Sequence, residues 1–425
     1  MKWGETMALN KKLAVGISTV NSGTKELIYS ALILPVTDSE IENVMQKVRI
    51  TGDNSDYIGI DILSCPYLSE LEGTRLECPT IEELNFFACR AEKLPDEEIK
   101  ALRAIYADMV KCDKNDDGIS MKDLINITYE LDSVPVIPGI RCDEQLGEFV
   151  IDNQMEDYLK DLSEEAMAHI DKEKVGKSFR EKENGEYING YYVAVGCYTN
   201  PKPYDGKHLP DEDMPELGEG VFRLFVTKHP EENPEEVIEA GKWIALPIDR
   251  DQADEIAKSL GEMCIEDCVY YDMRTGIPRV DDCMYDSMRK FDLLNEIAEK
   301  YTRLSASGRV TFKALMEKES PEDIEDVLKL FDGLDQYHLM RNAVDAKEFS
   351  QIYLKYHLPA GFDTKFINKL GVTGFGNKLL DRLGASVTDY GIISGKGRTL
   401  FEIVPYDEPT YEIQQNHEQM GGMQM

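Results

Sequence analysis

The sequence predicts an α+β fold made of two tandem homologous halves, and three observations lead to it. The stretch LILPVTDSEIENVMQKVRI, residues 32–50, has the same pattern as WIALPIDRDQADEIAKSLGE, residues 243–262, with equivalent positions 212 residues apart. Further matches follow in the same order. Leu84-Asn85 answers Leu294-Asn295, Asp123-Leu124 and Leu131-Asp132 answer Asp323-Ile324 and Phe331-Asp332, and Gly176 answers Gly376. Finally, strand-like runs and helical periodicity alternate in one order twice over. The halves are expected at about 13–196 and 221–404.

Within each half the elements are justified in turn. Residues 1–12 form a polar lead-in. Apolar runs at 13–20 and 26–34 bracket Asn21-Ser22-Gly23-Thr24, whose glycine suits a tight turn, so a hairpin is expected. Each copied strand closes at Leu-Pro (Leu34-Pro35 and Leu246-Pro247) because proline cannot donate to a ladder. Thr37 with Glu40, and Asp249 with Gln252, have capping-box spacing for the helices that follow. Their apolar stripes are Ile41, Val44, Met45, Val48 and Ala253, Ile256, Ala257, Leu260. A third strand is expected in DYIGIDIL from Asp56 and in DCVYYDM from Asp267.

A helical middle section comes next, over 81–108 and 122–131 in the first half and over 291–330 in the second. Another helix follows at 346–356. Each half closes with a glycine-centred segment and a short sheet, at 187–195 and at 386–404. Residues 197–220, rich in proline, glycine and acids, are expected to form an exposed linker, and 405–425 a frayed tail.

With 425 residues there is room for two cores. The 81 acidic residues against 47 basic ones leave −34, a charge that repels nucleic acid and anionic membranes and attracts proteins with basic grooves. Nine cysteines form no CxxC pair and their odd number does not suggest a disulfide framework, so reduced thiols in a cytoplasm are expected. No signal peptide or membrane span is expected.

Two motifs approach known ligand loops without completing them. Asp113, Asn115, Asp117 and Gly118 follow the start of a calcium loop, but Leu124 stands where the bidentate carboxylate belongs, so a solvated turn is expected. GIISGKGRT, 391–399, is one residue short of a phosphate loop, lacks Ser or Thr after Lys396 and runs into strand-like LFEIV, so a hairpin turn is expected. The six histidines have no ligand spacing, and Cys264 with Cys268 lack a second pair, so neither metal nor cofactor is expected. No constellation of side chains marks a catalytic centre, which argues against an enzyme.

The acids recur on helix faces: Asp38, Glu40 and Glu42; Glu156, Asp157, Asp161, Glu164 and Glu165; Asp249, Asp251, Asp254 and Glu255; and Glu319, Glu322, Asp323, Glu325 and Asp326. Helices hold such charges at fixed separations. An excess of 34 equals the phosphates of about 17 base pairs, given roughly one charge per 1.7 Å of duplex axis.

Each half resembles an ArdA-type antirestriction protein. The resemblance rests on the hairpin, the Leu-Pro turn into an acidic helix, the strands carrying Asp61 (GIDIL) and Asp272 (VYYDM), the Leu-Asn helical section and the closing phrase TLFEIV at 399–404. It covers about 13–196 and 221–404 and implies elongated, non-catalytic DNA mimics that occupy the DNA groove of type I restriction-modification enzymes, against the methyltransferase and specificity subunits. The helix-face carboxylates would be the phosphate mimics. Such proteins commonly act as homodimers; this chain, being doubled, is expected as a monomeric pseudo-dimer or a homodimer. The alternative expectation is an acidic regulatory module of a mobile element that binds another basic DNA-binding protein.

Overall fold

The computed structural model describes residues 12–20, 27–49, 59–73, 80–112, 119–167, 169–212, 214, 217–228, 241–283, 288–358, 364–369 and 371–400. The expected turn at Asn21–Thr24, the first part of the calcium-like loop, the strand-like phrase beyond Leu400 and the tail lie outside these residues. Among the described residues the fold is mixed α+β, with four small antiparallel sheets of three strands each.

The first half opens with β1 (Leu13–Val20), β2 (Leu27–Leu34), helix α1 (Asp38–Lys47) and β3 (Gly59–Ser64), in sheet order β2-β1-β3. Three helices follow: α2 (Ile81–Glu92), α3 (Asp96–Cys112) and α4 (Met121–Asn126). After β4 (Val136–Pro138) come α5 (Asp143–Asp152), the short turns α6 (Asp157–Lys160) and α7 (Glu164–Met167), and α8 (Lys172–Lys182). The hairpin β5 (Gly185–Ile188) and β6 (Tyr191–Ala194) completes a second sheet in the order β4-β6-β5.

The second half repeats this plan. Its first sheet has the order β8-β7-β9, from β7 (Phe222–Thr227), β8 (Lys242–Leu246) and β9 (Val269–Thr275), with α9 (Arg250–Leu260) following β8. A short α10 (Val280–Cys283) precedes the helical triplet α11 (Phe291–Arg303), α12 (Ala306–Glu319) and α13 (Ile324–Leu330). Then come β10 (Leu339–Met340), α14 (Ala346–His357), α15 (Val372–Leu383), β11 (Ser386–Thr388) and β12 (Gly391–Ile393), the last sheet running β10-β12-β11.

The repetition reaches single hydrogen bonds. Asn85 on α2 accepts from the Val36 amide at 2.8 Å and donates to the Val36 carbonyl at 2.7 Å. Asn295 on α11 does the same to Ile248, at 2.9 and 3.0 Å. Each asparagine thereby satisfies both polar groups of the residue that follows a cis Leu-Pro bond, in the stretch entering the copied helix. In the later module, Gly176 of α8 faces the carbonyl of Asp143, and Gly376 of α15 faces that of Ala346. A Cβ would stand 1.8 and 1.9 Å from those oxygens, so each helix pair crosses at a distance only glycine permits.

Some expected correspondences shift. The N-cap of α4 is Ser120 and that of α13 is Asp323, so the structural offset there is 203 residues rather than the 200 implied by pairing Asp123 with Asp323. Left-handed Glu130 and Gly333 then correspond as well, each opening a 3-10 turn, which likewise displaces the pairing of Leu131 with Phe331. The Thr37–Glu40 capping box forms, with the Glu40 carboxylate 2.8 Å from the Thr37 amide. Its counterpart does not involve Gln252: Asp249 instead accepts from the Asp251 amide at 2.9 Å. The stripes bury as expected at Ile41, Val44, Val48, Ala253 and Ala257.

The chain divides into two compact units, the described residues within Met1–Ser18, Tyr29–Val44 and Asp56–Gly218, and those within Thr19–Ile28, Met45–Ser55 and Glu219–Met425. The segment expected as an exposed linker is exposed at just over half of its described residues, as expected, but is anchored to the first unit at particular points. Tyr204 is buried, its amide and carbonyl paired with the side chain of Asn126. Glu212 receives Arg90 and the Tyr129 hydroxyl. Glu212 and the backbone of Tyr204 are thus partners for Arg90 on α2 and Asn126 on α4. In the second unit a core around Phe222, Leu246, Phe291 and Phe312 fills the first module, and one around Phe349, Leu379 and Ile392 the last. Full burial of such side chains contributes about 1.5–3 kcal/mol each.

Candidate partner-binding surface

Acids at helix starts stabilise the helix itself, because the first turn has unpaired amides and a positive dipole end. Of the sixteen carboxylates expected to bind a partner, all those named above except Glu319, at least half act in that way or pair with a nearby cation. Glu40 and Asp249 cap α1 and α9. Asp323 caps α13 at the Glu325 amide and, together with Glu325, holds Lys290 at 2.8–3.0 Å. Asp326 pairs with Lys329 at 2.7 Å, Asp157 with Lys160 at 2.7 Å, and Glu156 with Lys182 at 2.9 Å. Asp254 accepts from the Ile265 amide at 3.0 Å and from Arg250 at 3.3 Å. That amide, then Arg250, holds the Asp254 carboxyl below its usual range.

The remaining acids differ in what they present. Asp38 is exposed and Glu42 half-buried on α1. Asp161, Asp251, Glu255 and Glu322 are exposed. Asp251 and Glu255 stand one helical turn apart on the same face of α9. Glu164 and Glu165 begin α7, and their side chains lie outside the described residues. The acids from Glu156 to Glu165 do not share one helix face: Glu156 precedes α6, Asp161 ends it, and Glu164 opens α7. Likewise Glu319 ends α12 and pairs with Lys318, whereas Glu325 and Asp326 open α13. The sequence shows the density of acids there, but the chain turns between them.

Other acids converge on a concavity that helix-face reading passes over. Glu97 and Glu98 in the first turn of α3, with Asp132, line a cleft of about 390 Å³ whose apolar wall includes Leu131, Val134 and Pro135. Burial pushes the Glu98 carboxyl upward, and the nearby Asp132 adds to the shift. The run Asp96-Glu97-Glu98 after Leu94-Pro95 was the available signal; its approach to Asp132 depends on the chain's return after α4.

Among the described residues no cluster of three or more His, Cys, Asp or Glu is placed to hold a metal, and no helix is long and apolar enough to cross a membrane. The segment 391–399 forms β12 and then a turn in which Gly397 has φ +68°; the hairpin turn itself falls earlier, at Asp389–Tyr390. A scan against protein-family models finds no match, and a search of curated proteins finds none either.

Proposed function

We propose that the chain is a non-catalytic DNA mimic that acts against type I restriction-modification enzymes by occupying the groove where their methyltransferase and specificity subunits hold DNA. The observation that carries the reading is a charge of −34 combined with exposed carboxylates fixed on helices, of which Asp251 and Glu255 on α9 are the clearest pair. Four residues along a helix rise about 6 Å, and two phosphate steps along one DNA strand advance about 7 Å. Side chains in that register present charge to basic residues at a duplex-like interval. The acidic cleft at Glu97, Glu98 and Asp132 supports the same reading, since its apolar wall and carboxylates suit the stem and head of an arginine or lysine.

The interaction would be spread over many charge pairs and would weaken with salt. A pull-down with the full chain from restriction-proficient cells tests the assignment. Methyltransferase and specificity subunits are expected in the bound fraction at low salt and absent from it at high salt. Recovery of a different basic DNA-binding protein, without those subunits, would instead support a regulatory acidic module.

A further inference from the structure

The second unit contains a cavity of about 290 Å³ that the reading above does not use. Its lining includes Gln46, Ser307, Thr311 and Arg341, with Val310 and Leu339 as apolar wall. Arg341 donates from Nη2 to the Gln46 carbonyl at 2.8 Å, while its Nε is shielded from solvent and meets no acceptor among the described residues. In a chain with 81 acids this guanidinium has no carboxylate partner among the described residues. Burial draws it below its ordinary value with no opposing charge to offset the shift. Arg49, whose Nη2 donates to the Ala343 carbonyl at 3.1 Å, lies within its field and is lowered to about 10, first by burial. A second positive charge therefore lies close by, partly answered by Glu348.

The Thr311 hydroxyl is committed to the Ser307 carbonyl at 3.0 Å, but the Ser307 hydroxyl shares only a contact with Ser305 Oγ at 3.1 Å and can donate onward. A guanidinium with no carboxylate partner among the described residues, a serine hydroxyl and an apolar wall form a site for a doubly charged oxyanion. A carboxylate brings one charge, whereas a phosphate brings about −1.5 to −2. The volume equals that of roughly ten waters, at about 30 Å³ each, which leaves room beside a phosphate for a small organic group on Val310 and Leu339.

We infer that this cavity binds a phosphate group, free or carried on a small molecule, through the Arg341 guanidinium and Ser307 Oγ. The inference does not depend on DNA mimicry. The test is a ³¹P NMR titration of the full chain with inorganic phosphate and, separately, phenyl phosphate, in chloride buffer. Saturable shifts are expected for the wild-type chain, weakened roughly tenfold or more in Arg341→Gln, the loss of one charge-assisted contact. Tighter binding of phenyl phosphate would assign the site to a small organic phosphate, and equal binding to free phosphate. Ser307→Ala, at an exposed position, should weaken binding without disturbing the fold and keeps the test valid if Arg341→Gln fails to fold. No saturable response to either probe, or binding unchanged in these variants, would overturn the assignment.

Discussion

Asn85 and Asn295 show how one residue fixes a junction. Each pairs with both the amide and the carbonyl of the residue following a Leu-Pro pair, so its removal orphans two backbone groups. Asn85→Ala should cost about 2–4 kcal/mol by urea denaturation of the full chain, and Asn295→Ala, at a half-buried site, less. A loss below about 0.5 kcal/mol at Asn85 would mean that water replaces the side chain without penalty. Asp143 offers a pH test. Arg180, followed by the Tyr187 hydroxyl, draws its carboxyl below the ordinary value against an opposing contribution from burial. A carboxyl lowered on folding adds stability that is present above the unfolded value near 3.9 and is lost as pH falls through the lower folded value. Acid unfolding should therefore be less steep below pH 4 in Asp143→Asn, which should also be less stable at pH 7; parallel acid profiles would contradict this. The sequence made the Leu-Asn match visible because the residues are identical. It did not show what the asparagines do, since their partners lie 49 and 47 residues away.

At the scale of elements, the halves keep contacts while exchanging the chemistry that makes them. Asp143 and Arg180 pair across α5 and α8, and their structural counterparts are Ala346 and Leu380, both buried. In the first sheet the Tyr29 ring of β2 covers Gly16 of β1, whereas in the third the Phe225 ring of β7 covers Gly241, just before β8, so the ring and the glycine have exchanged sides. Such exchanges escape a search for identical residues. Helix α5 was also hidden, because Gly147 interrupts its apolar pattern; the glycine is there because the carbonyl of Lys172 lies 1.8 Å from where a Cβ would be. Two substitutions in α15 separate packing from propensity. Gly376→Ala meets the Ala346 carbonyl and should cost about 1–3 kcal/mol. Gly374→Ala, with nothing within 4 Å, should gain up to about 1 kcal/mol. Equal effects from the two in denaturant melts would contradict the close crossing of α14 and α15.

For the whole molecule, the charge was legible from composition, but its distribution was not. Which carboxylates are consumed depends on cations far away in sequence, as Lys182 is from Glu156 and Lys290 from Asp323. Under the proposed function, acids already engaged in caps and ion pairs contribute to rigidity, and the exposed ones carry recognition. Changing Asp251, Glu255 and Glu322 together to amides should weaken binding to a restriction enzyme roughly tenfold, at about 0.2–1 kcal/mol per exposed pair. Stability should change little. Glu40→Gln should instead lower stability through the α1 cap, with little effect on binding. The most direct measurement is competition: a purified type I restriction-modification enzyme bound to a labelled duplex bearing its recognition site, titrated with the full chain across a salt series. The account predicts stoichiometric displacement of the DNA at low salt that weakens steeply as salt rises; DNA that stays bound in the presence of a large excess of the protein at low salt would contradict it.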